Sequence, residues 1–182
     1  ITDIIEPGST FKPLIVAAAL DSGRFNAQSQ VDTSPGFIQI GSKHIEDHRN
    51  FGRISLGTIL AKSSNVGIVH VVMQLDKDSL WNTLSRFGVG RLTSSGFPGE
   101  SAGVLAPYQS WRPIGQATLG YGYGLSITPL QLAQAYAVFG AGGLQRPVSL
   151  VRISQAPIAR RVVSAQVARD LLTMLEQVVG EE

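Results

Sequence analysis

A serine and a lysine three positions apart, Ser9 and Lys12, stand at the mouth of the apolar run Leu14-Ile15-Val16-Ala17-Ala18-Ala19-Leu20. On a helix such a pair shares one face, so hydroxyl and amine can meet without help from distant chain. A serine hydroxyl is a weak nucleophile at neutral pH, and a desolvated lysine within hydrogen-bond reach can act as its base. The chemistry this suggests is acyl transfer through a serine ester. The same spacing also fits a helix-capping serine followed by a solvated lysine. Context favours the first reading. Of the lysines Lys12, Lys43, Lys62 and Lys77, only Lys12 has a serine three residues before it. Glu6-Pro7-Gly8 is a turn signal. Pro13 has no N–H to give the Ser9 carbonyl and is tolerated only in a first turn, so a helix must begin near Ser9. The hydroxyl then lies at the positive end of that helix, where a developing oxyanion is favoured.

Ser63-Ser64-Asn65 is the second cluster, and the only Ser-x-Asn in the chain. A hydroxyl and a carboxamide two residues apart can converge on one cleft. The hydroxyl can relay a proton. The amide, with both donors and an acceptor, can hold the lysine and a substrate amide. Taken alone, the triplet reads better as a helix cap; paired with Ser9 and Lys12 at this order and separation, it reads as part of a site.

The elements that must position these groups follow from periodicity and breakers. Residues 9–20 read as the helix carrying the nucleophile, closed by Asp21-Ser22-Gly23. Residues 37–45 read as a small hairpin turning at Gly41-Ser42. Residues 55–61 read as a short helix that delivers Ser63. Residues 66–75 suit a buried helix, although their valines and isoleucine also suit a strand. Asp78 is expected to cap a helix through Phe87, with Gly88 as its stop. Residues 89–126, rich in Gly, Ser and Pro, read as loop. Thr128 with Pro129 opens a helix ending near Gly140. Ser164 caps a last helix whose stripe is Val167, Leu171, Met174, Leu175 and Val178.

Other residues invite weaker readings. His44 and His48 flank Glu46 and Asp47, but they lie in the expected hairpin and do not form H-E-x-x-H, so a metal is not expected. His70 sits in an apolar run and reads as a packed histidine. Tyr121, Gly122 and Tyr123 either line a cleft, where glycine lets backbone approach a ligand, or make a tight turn. Trp81 reads as core. Trp111 reads as a wall of the site or as packing under a loop.

Composition bounds the rest. The 182 residues make one domain or part of one. A formal net charge of +2, with basic residues scattered, gives no basis for a nucleic-acid partner. No cysteine is present, so disulfides and thiolate metal sites are excluded. No apolar run approaches the length of a membrane span.

Ile1 to Pro13 resembles the nucleophile segment of class B penicillin-binding proteins, whose S-x-x-K motif Ser9 and Lys12 match. It is most similar to the septal type, penicillin-binding protein three. Lys62-Ser63-Ser64-Asn65-Val66-Gly67 resembles that type's second motif, and the elongation-type relative usually has aspartate in place of Asn65. Ser85-Arg86-Phe87-Gly88-Val89-Gly90 and residues 120–132 also look like family segments.

The resemblance implies the α/β fold of penicillin-binding proteins and serine β-lactamases, a central antiparallel sheet flanked by helices. This chain would be mostly helical with a small hairpin, most of the sheet coming from elsewhere. It implies a peptidoglycan D,D-transpeptidase acting at the septum. Ser9 would be nucleophile, Lys12 base and Ser63 proton relay. Asn65 would hold lysine and substrate, while Ser64, Tyr121, Gly122 and Tyr123 would contact substrate. No metal or cofactor is implied. The implied partners are stem peptides ending in D-Ala-D-Ala, β-lactams, and, for the full-length protein, a membrane glycan polymerase and other division proteins. The implied location is the bacterial inner membrane, with a single-pass anchor and a periplasmic catalytic domain. The family's third motif, Lys-Thr-Gly or Lys-Ser-Gly, is not found here. Residues 1–182 are therefore expected to be a partial transpeptidase domain without anchor, pedestal or third motif. A β-lactamase, a β-lactam sensor domain and an inert fragment are the rival readings.

Overall fold

The computed structural model describes residues 1–180. A 3-10 turn at Gly8–Phe11 leads into α1 (Lys12–Asp21). The four strands that follow are β1 (Gln30–Asp32), β2 (Phe37–Ile40), β3 (Lys43–Glu46) and β4 (Arg53–Ser55). Three helices come next: α2 (Leu56–Ala61), α3 (Asn65–Val72) and α4 (Lys77–Arg86). Then come α5 (Pro113–Gly120), α6 (Pro129–Gly140), β5 (Leu144–Gln145), β6 (Arg160–Arg161) and α7 (Ala165–Gly180).

The core is built on α1. Phe11 through Leu20 are all buried, as expected for a helix apolar on every side. It packs against α3, α4 and α7. Among the described residues the sheets are all two-stranded and antiparallel, β1 with β4, β2 with β3 and β5 with β6. The β2–β3 hairpin pairs Phe37 with Glu46 and Ile40 with Lys43, and Gly41 takes the left-handed φ of 58° that its two-residue turn needs.

Several expectations hold closely. The short helix expected over residues 55–61 is α2, and Ser55 lies just before it as its cap, accepting from the Thr58 N–H at 3.1 Å. Residues 65–72 are helix, not strand. Thr128 opens α6 with a capping box closed by Gln131. Ser164 caps α7 through Val167, and Val167, Leu171 and Met174 are buried along its stripe.

Others are corrected. Ser9 sits in a 3-10 turn ahead of α1, not in the α-helix itself. Pro13 cannot donate to the Ser9 carbonyl, so that carbonyl accepts from Lys12 N instead. Asp76, not Asp78, occupies the N-cap of α4, and Asp78 lies in its first turn. Residues 89–126 are not all loop. Pro113 starts α5, and Gln116 donates from Nε2 to the Val72 and Leu75 carbonyls at 2.9 Å each, closing the end of α3. Gly120 lets α5 approach α3, since a Cβ there would come within 2.9 Å of Val72. The Gly, Ser and Pro content of this stretch is what made the helix read as loop. Trp81 and Trp111 donate to one acceptor, the Ala106 carbonyl, each at 3.1 Å, so Trp111 packs under the loop.

Candidate active site

Lys12 is the centre of the site. Its side chain is buried, and its ammonium donates to the Ser63 carbonyl at 2.5 Å, the Ser63 hydroxyl at 3.0 Å and the Asn65 Oδ1 at 2.9 Å. Burial pushes its pKa from 10.5 down to about 8, and the Asp47 carboxylate pulls partly the other way. A useful share of this amine is therefore unprotonated just above neutrality. Ser9 is exposed at the start of the same buried helix. Ser9, Lys12 and Ser63 line one cavity of about 290 Å³, closed on one side by Leu60, Tyr136 and Leu175.

The amine's partners reach it because α2 ends abruptly. Ser63 N donates to the Leu60 carbonyl and Ser64 N to the Ile59 carbonyl, the paired bonds of a Schellman cap. Ser63 occupies the left-handed position of that cap with φ 52°, where glycine is usual. For a serine that backbone is strained by about 1–2 kcal/mol. The reversal turns its carbonyl and hydroxyl onto Lys12. One residue later Ser64 starts α3, and Asn65 is the first residue of that helix.

Ser64 is turned inward. It is 1% exposed, donates to Asp47 Oδ2 at 2.5 Å and accepts from Gly67 N at 2.8 Å, so its hydroxyl is committed to capping α3. This corrects the expectation that it contacts substrate. Asp47 is the residue the sequence reading missed. It appeared there only as a neighbour of two histidines, and nothing local distinguishes it from other hairpin carboxylates.

Gly122 packs against the Gly8–Phe11 turn that carries Ser9. Its carbonyl accepts from Gly8 N at 3.0 Å, and with φ 84° a Cβ there would lie 2.0 Å from the Gly8 carbonyl oxygen. The tight-turn reading of this run is the one its backbone supports. Gly124 N donates to Glu6 Oε1 at 2.9 Å, a second tie across the same seam. Tyr121 packs against the core, and burial raises its pKa. Tyr123 is exposed, with its ring centroid 5.6 Å from that of Tyr121. Tyr136 braces the other side, donating to the Thr10 carbonyl at 2.7 Å. His44 pairs with Glu46 and stacks on Phe37, whereas His48 meets Phe51 edge-on.

The structure thus holds one buried lysine between Ser63 and Asn65, with Ser9 lining the same cavity. The family model for the penicillin-binding protein transpeptidase domain matches residues 1–182. The chain belongs to the penicillin-binding protein transpeptidase family. The peptidoglycan D,D-transpeptidase FtsI of Escherichia coli K12 is 38% identical over 178 residues, 98% of this chain and 30% of that protein. The probable peptidoglycan D,D-transpeptidase PenA of Neisseria meningitidis serogroup A is 36% identical over the same shares. The transpeptidase domain of Burkholderia pseudomallei penicillin-binding protein 3 superposes with a TM-score of 0.92 at 40% identity, covering 98% of this chain and 54% of that one. The chain thus spans under a third of each of these two relatives and about half of that solved domain. The penicillin-binding-protein fold is borne out, with helices predominating and only small sheets among the described residues. Among those residues no helix is long and apolar enough to cross a membrane.

Proposed function

We propose that the protein carrying this chain is a peptidoglycan D,D-transpeptidase of the septal type, working through an acyl-enzyme on Ser9. The observation that carries this is the buried Lys12 amine, lowered to about 8 and held by Ser63 and Asn65. Ser9 Oγ attacks the penultimate D-Ala carbonyl of a stem peptide, and its proton goes to neutral Lys12. The tetrahedral intermediate collapses, the C–N bond breaks, and the leaving D-Ala amine takes its proton from Lys12 through the Ser63 hydroxyl. Asn65 holds Lys12 and the substrate amide. The Ser9 N–H is one oxyanion donor. An amine of a neighbouring stem peptide then attacks the ester, restoring Ser9 and forming the cross-link.

The relatives' greater length supports a parent protein in which a Lys-Thr-Gly strand completes the cleft. In that parent a membrane anchor places the domain in the periplasm, beside a glycan polymerase and other division proteins. Tyr123, exposed near the Gly8 turn, is the substrate contact retained from the glycine-tyrosine run. β-Lactams acylate Ser9 and stay attached. Asp47 is occupied by three donors and is poorly placed to activate a hydrolytic water.

Intact mass after exposure to benzylpenicillin tests the reading. One persistent adduct, lost in Ser9→Ala, is expected. Rapid steady turnover of a chromogenic cephalosporin would instead identify a β-lactamase.

A further inference from the structure

Asp47 follows directly on β3, with its own N–H held by the Gly36 carbonyl at 3.0 Å. Its carboxylate reaches across to the start of α3. Oδ1 accepts from Asn65 N at 2.6 Å and Val66 N at 3.2 Å, and Oδ2 accepts from the Ser64 hydroxyl at 2.5 Å. With Ser64 Oγ on Gly67 N, the first-turn donors at residues 65, 66 and 67 are all satisfied. An anion there also meets the positive end of the helix.

This clasp bears on the site through two residues. Asn65 is gripped by its backbone N–H while its side chain holds Lys12. Ser63, in its strained left-handed conformation, is the residue immediately before the clasped Ser64. Strain of that kind persists only where the surroundings over-determine it. The α2 Schellman bonds hold Ser63 from one side and the Asp47 clasp holds it from the other.

We propose that Asp47 is a positioning residue for acylation, tying the β2–β3 hairpin to the Ser63–Asn65 turn so that this turn encloses the Lys12 amine. The assignment rests on the function proposed above for Ser9 and Lys12. Asp47 touches no reacting atom. Its second effect is electrostatic, because its charge opposes part of the fall in the Lys12 pKa. Tyr136 is the other titratable side chain beside the Lys12 cavity.

The test compares wild type, Asp47→Asn and Asp47→Ala in the intact protein, reading acylation by a fluorescent penicillin per folded molecule across pH. In parallel, the Lys12 side-chain resonance is titrated by NMR. Asp47→Asn keeps an acceptor for the two backbone N–H groups but loses the charge and the acceptor for the Ser64 hydroxyl. Its acylation is expected to fall about tenfold, and that of Asp47→Ala about a hundredfold, the scale of a misplaced catalytic group. In Asp47→Asn the Lys12 midpoint should move to lower pH, because an attractive anion is gone. A residue that merely capped α3 would lower the melting temperature and leave the per-molecule rate and the Lys12 midpoint alone; that result overturns the proposal. If wild type forms no adduct at Ser9, the transpeptidase reading fails by itself. The positioning claim is then decided by NMR, since an unchanged Lys12 midpoint with unchanged amide shifts at residues 63–66 in Asp47→Asn refutes it.

Discussion

The Lys12 ammonium and the Asn65 carboxamide oxygen meet at 2.9 Å across 53 positions of sequence. The carboxamide is a neutral acceptor, so it holds the amine without adding a charge that would keep it protonated. Asn65→Asp should therefore reverse that balance. A carboxylate beside Lys12 favours the ammonium and raises its pKa. The acylation–pH curve should move to higher pH, with a lower rate at pH 7.5, measured with a fluorescent penicillin. An unmoved curve would show that Lys12 is not the titrating base.

Acylation by wild type should rise with pH through a midpoint near 8, the value to which burial brings Lys12. The same shift has a stability consequence. The folded pKa lies below the unfolded value of 10.5, so between about 8 and 10.5 the unfolded chain binds more protons. This group's penalty is thus fully present below about 8 and is relieved as pH rises through that window. Relative to Lys12→Met, wild type should gain stability between pH 8 and 10, read by urea denaturation.

Ser63 carries both the hydroxyl proposed as proton relay and a left-handed backbone, φ 52°. Ser63→Ala and Ser63→Gly both remove the hydroxyl and should both lose most acylation. They should part in stability. Glycine accepts that backbone freely, so Ser63→Gly should be about 1 kcal/mol more stable than Ser63→Ala. Equal denaturation midpoints would mean that the residue is unstrained.

Gly122→Ala places a Cβ 2.0 Å from the Gly8 carbonyl oxygen and forces a residue with φ 84° to accept a side chain. The seam must open beside the nucleophile turn. A loss of about 1–3 kcal/mol is expected, with slower acylation of the folded fraction. Gly23→Ala, whose Cβ meets nothing within 4 Å although its φ is also positive at 72°, is the control. It shares the backbone strain but should leave acylation unchanged.

Much of the fold was legible where local rules act alone. The cap and proline at Thr128-Pro129, the Gly41-Ser42 hairpin and the Ser164 cap needed only neighbouring residues. Less legible were features set by packing. α5 was hidden in a stretch rich in Gly, Ser and Pro, where Gly120 serves a close approach to α3. Ser64 was misread as a cleft residue because its partner, Asp47, lies 17 positions away.

The sequence by itself determined the nucleophile turn. Pro13 denies the Ser9 carbonyl a helical partner, which starts α1 at Lys12 and leaves the serine exposed at its head. It also determined which polar residues could assist, through the only Ser-x-Asn in the chain. The tertiary structure decided which side chains the amine meets and how acidic it is. A pKa near 8 comes from burial among α1, α2, α3 and α7, against the partly opposing pull of Asp47, held just after the hairpin. Neither desolvation nor a long-range anion is a property of spacing along the chain, so a lysine that local pattern leaves ordinary becomes a base only once the core closes around it.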